Sequence, residues 1–168
     1  MAYGLAYGLS AFGLAQQLRI EQSEARSLMD EYFGRFDGVR SFLSKVVEEA
    51  RAVGYTETMF GRRRYLPDLN SDNRQRRDIA ERMALNAPIQ GSAADIMKIA
   101  MVRAHDALAP MRSRLLLQVH DELVVEVARG ELAAVRQLVQ DCMENAAQLL
   151  VPLDVNIGVG RSWDEAAH

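Results

Sequence analysis

The sequence predicts an α+β protein in which an antiparallel sheet is covered on one face by helices. Three observations carry this. Apolar residues recur at three-and-four spacing over residues 25–36, 39–50 and 132–149, the signature of amphipathic helices. Two pairs of short strand-like runs flank tight turns, at residues 55–66 and 115–127. An alternating run over residues 153–159 follows the last helix. A hairpin followed by a helix and a strand has the layout of a split βαβ sheet.

In chain order, Tyr3, Gly4, Tyr7, Gly8 and Gly13 open an element with no polar lead-in. Tyr3 and Tyr7 are four apart, on one face if helical. Ser10 is positioned to cap a short helix over 11–18. The next helix starts at Ser23-Glu24, with Ala25, Leu28, Met29, Tyr32, Phe33 and Phe36 on its apolar face, and should end at Asp37-Gly38. Another runs from about Val39 to Ala52, with Gly54 as its C-cap. Residues 55–59 and 63–66 flank Phe60-Gly61-Arg62, a hairpin with a basic tip. Residues 67–73 are loop-like.

The longest helical stretch is 76–108, and Pro88 inside it should kink or break it near Asn86-Ala87. Arg82, Asn86 and Gln90, spaced i, i+4, i+8, form one polar column if the helix persists. Such side chains hydrogen-bond bases, sugars and phosphates; they are equally the residues of a solvated face. Gly91-Ser92 implies a close backbone approach. After Gly130 comes a helix from Leu132 to Leu149 with Cys142 on its apolar stripe, stopped by Pro152. Trp163 is expected to pack back on the core.

The two strands over 115–119 and 123–127 enclose His120-Asp121-Glu122. The turn lacks Asn-Gly or Gly-Gly, the usual residues of a two-residue hairpin. A departure from a local rule is expected at functional sites. A carboxylate at a hairpin tip held by buried strands presents oxygen to a hard cation such as Mg²⁺. A solvated turn kept wet by its acids is the other reading of the same residues.

With 168 residues, 49% of them hydrophobic, the chain can bury a core as one domain or a domain plus a lobe. The net charge of −3 neither favours nor excludes nucleic acid. Its distribution says more. Arg62, Arg63, Arg64, Arg74, Arg76, Arg77 and Arg82 face Asp68, Asp72, Asp78 and Glu81: seven against four, a local surplus of three positive charges. Arginine is the side chain that fits phosphate bidentately. The single Cys142 leaves no disulfide partner within the chain and fits a reducing compartment. No apolar run approaches the roughly 20 residues of a membrane span, and Met-Ala-Tyr-Gly is not a secretory signal. A cytoplasmic location is expected.

Four blocks, in order, resemble the family A (DNA polymerase I-like) DNA polymerases, especially the bacterial ones. Residues 3–15, YGLAYGLSAFGLA, resemble the C-terminal half of motif B on the fingers. Residues 54–58 with 61–67 resemble the hairpin joining fingers to palm. Residues 82–96 resemble the helix beneath the primer-template duplex. Gln118-Val119-His120-Asp121-Glu122 resembles motif C. Ser162-Trp163-Asp164 through His168 resembles the family's end. The resemblance implies a partial polymerase palm preceded by a helical fingers remnant. Residues 1–67 would be partial fingers and 68–168 the C-terminal part of the palm with motif C.

It also implies roles. Asp121 would be a catalytic carboxylate binding two Mg²⁺ ions, and Glu122 an auxiliary acid. His120 would lie near the primer terminus. Tyr7 would stack at the template insertion site, contacting both DNA and the nucleotide. Tyr3 would stand beside the incoming sugar, where Tyr eases acceptance of dideoxynucleotides. Arg82, Asn86 and Gln90 would bind primer-template DNA on its minor-groove side. The function implied is DNA-directed DNA polymerase in replication and repair, with primer-template DNA and dNTP as partners. The family's motif A Asp and the Arg and Lys that grip the triphosphate lie upstream of the residue matching Tyr3. The chain therefore reads as a fragment, inactive by itself. Two alternatives stay open. One is a fragment of a single-subunit RNA polymerase, against which Glu122 and Gln90 through Asp95 speak. The other is a non-catalytic DNA-binding module built on the Arg62–Arg82 cluster.

Overall fold

Ser10 does cap the first helix: its hydroxyl accepts from the Gly13 amide at 3.2 Å, and α1 spans Ala11–Leu18. The computed structural model describes residues 4–5 and 9–166. Two compact units, Met1–Ser92 and Ala93–His168, divide the chain.

In the first unit α1 is followed by α2 (Gln22–Arg35) and α3 (Asp37–Val53). The expected stop at Asp37-Gly38 is instead a start. Phe36 alone leaves the helical region, and Asp37 Oδ1 accepts from the Gly38 amide at 2.7 Å within the first turn of α3. The α2 face follows its spacing except at Phe36, which is 46% exposed. Ala25 is buried with Leu5, Leu14 and Ala15, and Met29, Tyr32 and Phe33 pack against them. Helix α3 ends at Gly54, which takes φ +82° as a left-handed C-cap. Antiparallel β1 (Tyr55–Glu57) and β2 (Arg63–Tyr65) follow, paired Tyr55↔Tyr65 through Glu57↔Arg63. A single 3₁₀ turn, Pro67–Asn70, leads to α4 (Arg74–Leu108). The core under this hairpin is Ala50, Leu66, Leu69, Ala80 and Ala84.

Helix α4 runs through Pro88 unbroken, so of the expected kink or break the break does not occur. Proline removes one donor and crowds the carbonyl four residues back, at a cost of about 3 kcal/mol. That residue is the small, fully buried Ala84. Apolar burial on both sides of Pro88, at Ala80 and Ala84 and again at Met97, Ala100 and Ala104, offsets the cost.

The second unit holds the end of α4, antiparallel β3 (Arg114–Val119) and β4 (Glu122–Glu126), and α5 (Leu132–Glu144). The strands thus form two separate two-stranded ladders, and the class is α+β with antiparallel pairing, as expected. Helix α5 stops earlier than its apolar stripe suggests, because the Asn145 side chain donates to the Asp141 carbonyl at 3.0 Å and closes the last turn. The alternating run 153–159 is not a strand here. Leu153, Val155 and Ile157 are half-buried between exposed neighbours, but no ladder partner is assigned among the described residues. Alternation shows which way side chains face; a strand also needs a hydrogen-bonding neighbour. Trp163 is 47% exposed rather than packed in the core. Cys142 lies half-buried on α5, and burial, with Asp141 beside it, pushes its thiol up. That suits a packing residue and not a nucleophile.

Candidate active site

The β3–β4 hairpin closes with Val119 paired to Glu122, so His120 and Asp121 alone make the turn. His120 takes φ +51°. For a side chain with a Cβ, left-handed backbone costs about 1–2 kcal/mol, and such strain persists only where the surroundings impose it. Here the strands impose it, and the Gln118 side chain donates to the His120 carbonyl. The Asp121 side chain is exposed at the tip, and Glu122, half-buried, begins β4.

Behind the tip, one face of the hairpin is core. Leu115, Val125 and Val127 pack with Leu108, Val135 and Val139. Leu123, near the tip, packs instead against Met97, Ala100 and Ala146. The open end is clasped. Glu131 Oε2 accepts from the Ser113 hydroxyl at 2.6 Å and the Ser113 amide at 3.0 Å, and Oε1 accepts from the Arg112 amide at 3.2 Å. The Ala128 amide donates to Ser113 Oγ at 2.9 Å. The Ser113 hydroxyl first, then the Arg112 amide, hold the Glu131 carboxyl below its ordinary range, against a smaller opposing effect of burial.

The first unit carries the polar column. Because α4 is continuous, Arg82, Asn86 and Gln90 fall within one sector of its surface. Arg82 and Gln90 are exposed, and Arg82 Nε donates to the Asp78 carbonyl at 3.2 Å. Asn86 is half-buried, and its Oδ1 is buried with no donor among the described residues. Just beyond, the β1–β2 turn docks on the helix. The Met59 amide donates to Ser92 Oγ at 2.9 Å, and Arg62 Nη2 donates to the Gly91 carbonyl at 2.9 Å. A Cβ on Gly91 would stand 2.6 Å from Thr58 Cγ2. This is the close approach that Gly91-Ser92 implied. A cleft of about 190 Å³ lies between β2 and α4, with Arg64, Tyr65, Arg76 and Met83 among its walls.

Tyr3 and Tyr7 lie outside the described residues. Among the described residues no group of three or more His, Cys, Asp or Glu is placed to hold a metal ion, and no helix is long and apolar enough to cross a membrane. Sequence reasoning missed the Ser113–Glu131 clasp and an irregularity in the ladder. The pairing register steps between Leu115 and Leu117 and passes over Leu116. The signal was present: three consecutive leucines, 115–117, interrupt the alternation of a regular strand.

The model of DNA polymerase family A matches residues 1–165. The chain is 62% identical over 170 aligned positions to DNA polymerase I of Mycobacterium tuberculosis, covering 100% of this chain and 19% of that protein. It is 48% identical over 161 positions to the thermostable DNA polymerase I of Thermus aquaticus, covering 96% of this chain and 19% of that protein. The chain thus spans about a fifth of the length of these relatives. Among solved structures it is similar to the POL domain of Pol1 from M. smegmatis in complex with DNA primer-template and dNTP. There the TM-score is 0.97 and the identity 62%, over 100% of this chain and 30% of that one.

Proposed function

The chain belongs to DNA polymerase family A, and on that premise we propose that its residues serve template-directed transfer of a nucleotide from dNTP to a primer 3′-hydroxyl, in DNA replication and repair. The observation that carries the reading is the strained two-residue tip: an exposed Asp121 held by a braced turn on a hairpin packed against the core on one face. By function, residues 1–67 are part of the fingers and 68–168 the C-terminal part of the palm. This division differs from the packing division at Ser92/Ala93. A cytoplasmic location in a bacterial cell goes with this function.

In the reaction the primer 3′-oxygen attacks the α-phosphorus, the 3′-hydroxyl proton departs, and the bond to pyrophosphate breaks. Asp121 supplies a rigidly presented anionic oxygen beside the reacting atoms, and Glu122 a second one close by. These are hard oxygen donors, the kind a divalent cation takes, and Mg²⁺ is the ion we assign. When bound, paired divalent ions make the hydroxyl a better nucleophile and neutralise charge on the leaving group. Two adjacent carboxylates fit such ions in kind; the full set of oxygens must include others. His120 stands next to Asp121 on the strained turn, toward the primer terminus. Tyr3 and Tyr7 contact the incoming nucleotide, and Tyr7 the template base.

Arg82, Asn86 and Gln90 hold the duplex. Their minor-groove contacts suit an enzyme that must accept every base pair, because acceptors there are nearly uniform.

The test is Asp121→Asn in the full-length enzyme carrying these residues. Single-turnover primer extension should fall by at least on the order of 100–1000-fold, with primer-template affinity retained. Extension at a near-normal rate would remove Asp121 from the reacting centre.

A further inference from the structure

Strand β3 carries one residue more than its ladder uses. Arg114 pairs with Glu126 and Leu115 with Val125, and then the register steps to Leu117 with Val124, Gln118 with Leu123 and Val119 with Glu122. Without Leu116 those five pairs make an uninterrupted ladder that closes on the same two-residue tip. Pairing therefore does not require Leu116. Its side chain is 50% exposed, so core packing does not require it either.

What an extra residue changes is shape. A bulge bends its strand and increases the local right-handed twist. This bulge lies where the hairpin passes from one core contact to another. On the open-end side, Leu115 and Val125 rest on the Leu108–Val135–Val139 cluster. On the tip side, Leu123 rests on Met97, Ala100 and Ala146. The open end is fixed by the Ser113–Glu131 clasp and the Arg114–Glu126 ion pair at 2.6 Å. With that end fixed, a bend at Leu116 is expressed at the tip.

We infer that the Leu116 bulge is a positioning device that aims the His120-Asp121 turn and sets where the Asp121 carboxylate stands during nucleotidyl transfer. The inference rests on the role given to Asp121 above. It concerns the number of residues in β3, not the leucine side chain, and so makes opposite predictions for deletion and substitution.

The experiment uses the full-length enzyme with three variants: deletion of Leu116, Leu116→Ala, and Asp121→Asn. The deletion should leave a folded protein, because every ladder pair survives. It should bind primer-template as the unaltered enzyme does, yet extend the primer about 100-fold more slowly in a single turnover, the penalty of a misplacement near 1 Å. Leu116→Ala keeps the extra residue and should extend at close to the normal rate. A deletion variant that extends normally, or one that no longer folds, overturns the inference. So does a Leu116→Ala variant as slow as the deletion, which would assign the effect to side-chain packing. Asp121→Asn separates the two levels. If it is inactive while the deletion is active, only the bulge inference fails; if it is active, the role of Asp121 itself is lost.

Discussion

Gly91 shows how a single missing Cβ can hold two elements together. The β1–β2 turn meets α4 through the Met59 amide on Ser92 Oγ and the Arg62 guanidinium on the Gly91 carbonyl. An alanine at 91 would press against Thr58 Cγ2 at 2.6 Å. Thr58 cannot simply rotate away. Its Oγ1 accepts from the Phe60 and Arg62 amides at 3.3 and 3.2 Å, and those bonds shape the turn. Gly91→Ala should therefore lower stability by about 1–3 kcal/mol, as overpacking does, and strip hydrogen-exchange protection from the Met59 amide. Unchanged protection at Met59 would mean that the turn does not depend on this contact. The neighbour Gln90 rides on the same helical turn, so duplex binding should weaken in parallel. At this scale the sequence was legible in part. Gly91-Ser92 announced a close approach without naming Thr58, because that partner is 33 residues away from Gly91 and chosen by the fold. The odd chemistry of His120-Asp121 announced a special turn, and the positive φ of His120 is its physical content.

The β3–β4 hairpin is an element whose pairing could be read locally and whose anchoring could not. Strand alternation and the missing turn glycine located both strands to within a residue. The Ser113–Glu131 clasp joins residues 18 apart and leaves no periodic trace. It has a pH signature. Glu131 in the folded hairpin sits below its ordinary value of 4.5, chiefly through the Ser113 hydroxyl and the Arg112 amide. A group whose folded pKa is depressed stabilises the fold fully above its unfolded value, and that contribution is lost as pH falls through the folded one. Glu131→Gln should thus loosen the hairpin's open end at neutral pH, seen as faster exchange of the Ser113 and Ala128 amides. The gap between the variant and the unaltered protein should close as pH drops below 4.5. A gap that stays constant through that range would show that the carboxylate charge does not hold the clasp. Other elements taught the limits of pattern. Pro88 did not break α4, because small buried neighbours accommodated it. The apolar stripe past Glu144 did not stay helical, because Asn145 closed the turn. Residues 153–159 alternate yet carry no ladder, since pairing is decided elsewhere in space.

Over the whole molecule the charge distribution, rather than the net charge of −3, is what bears on the DNA binding proposed for these residues. The seven arginines between 62 and 82 looked equivalent as a string, and folding makes them unequal. Arg63 is spent on Glu57 at 2.8 Å and lies over the Tyr55 ring at 4.5 Å. Arg77 donates to the Ser71 and Asp72 carbonyls at 2.8 and 3.1 Å. Arg64 and Arg76 stand exposed on the walls of the cleft between β2 and α4. Sequence could count these charges but not sort them, because which guanidiniums turn inward depends on carbonyls and carboxylates that only the fold brings near. Sorting matters for DNA because each phosphate neutralised releases counterions, and the slope of log affinity against log salt changes by about 0.9 per contact on duplex. Arg64→Ala with Arg76→Ala in the full-length enzyme should weaken primer-template binding and flatten that slope by up to about 2. Arg63→Ala with Arg77→Ala removes the same formal charge but should leave the slope nearly unchanged, because those side chains are committed within the protein. Titrating both pairs over a range of salt separates local commitment from overall charge. Equal flattening in the two would show that the enzyme's field, and not the orientation of particular arginines, governs its hold on DNA.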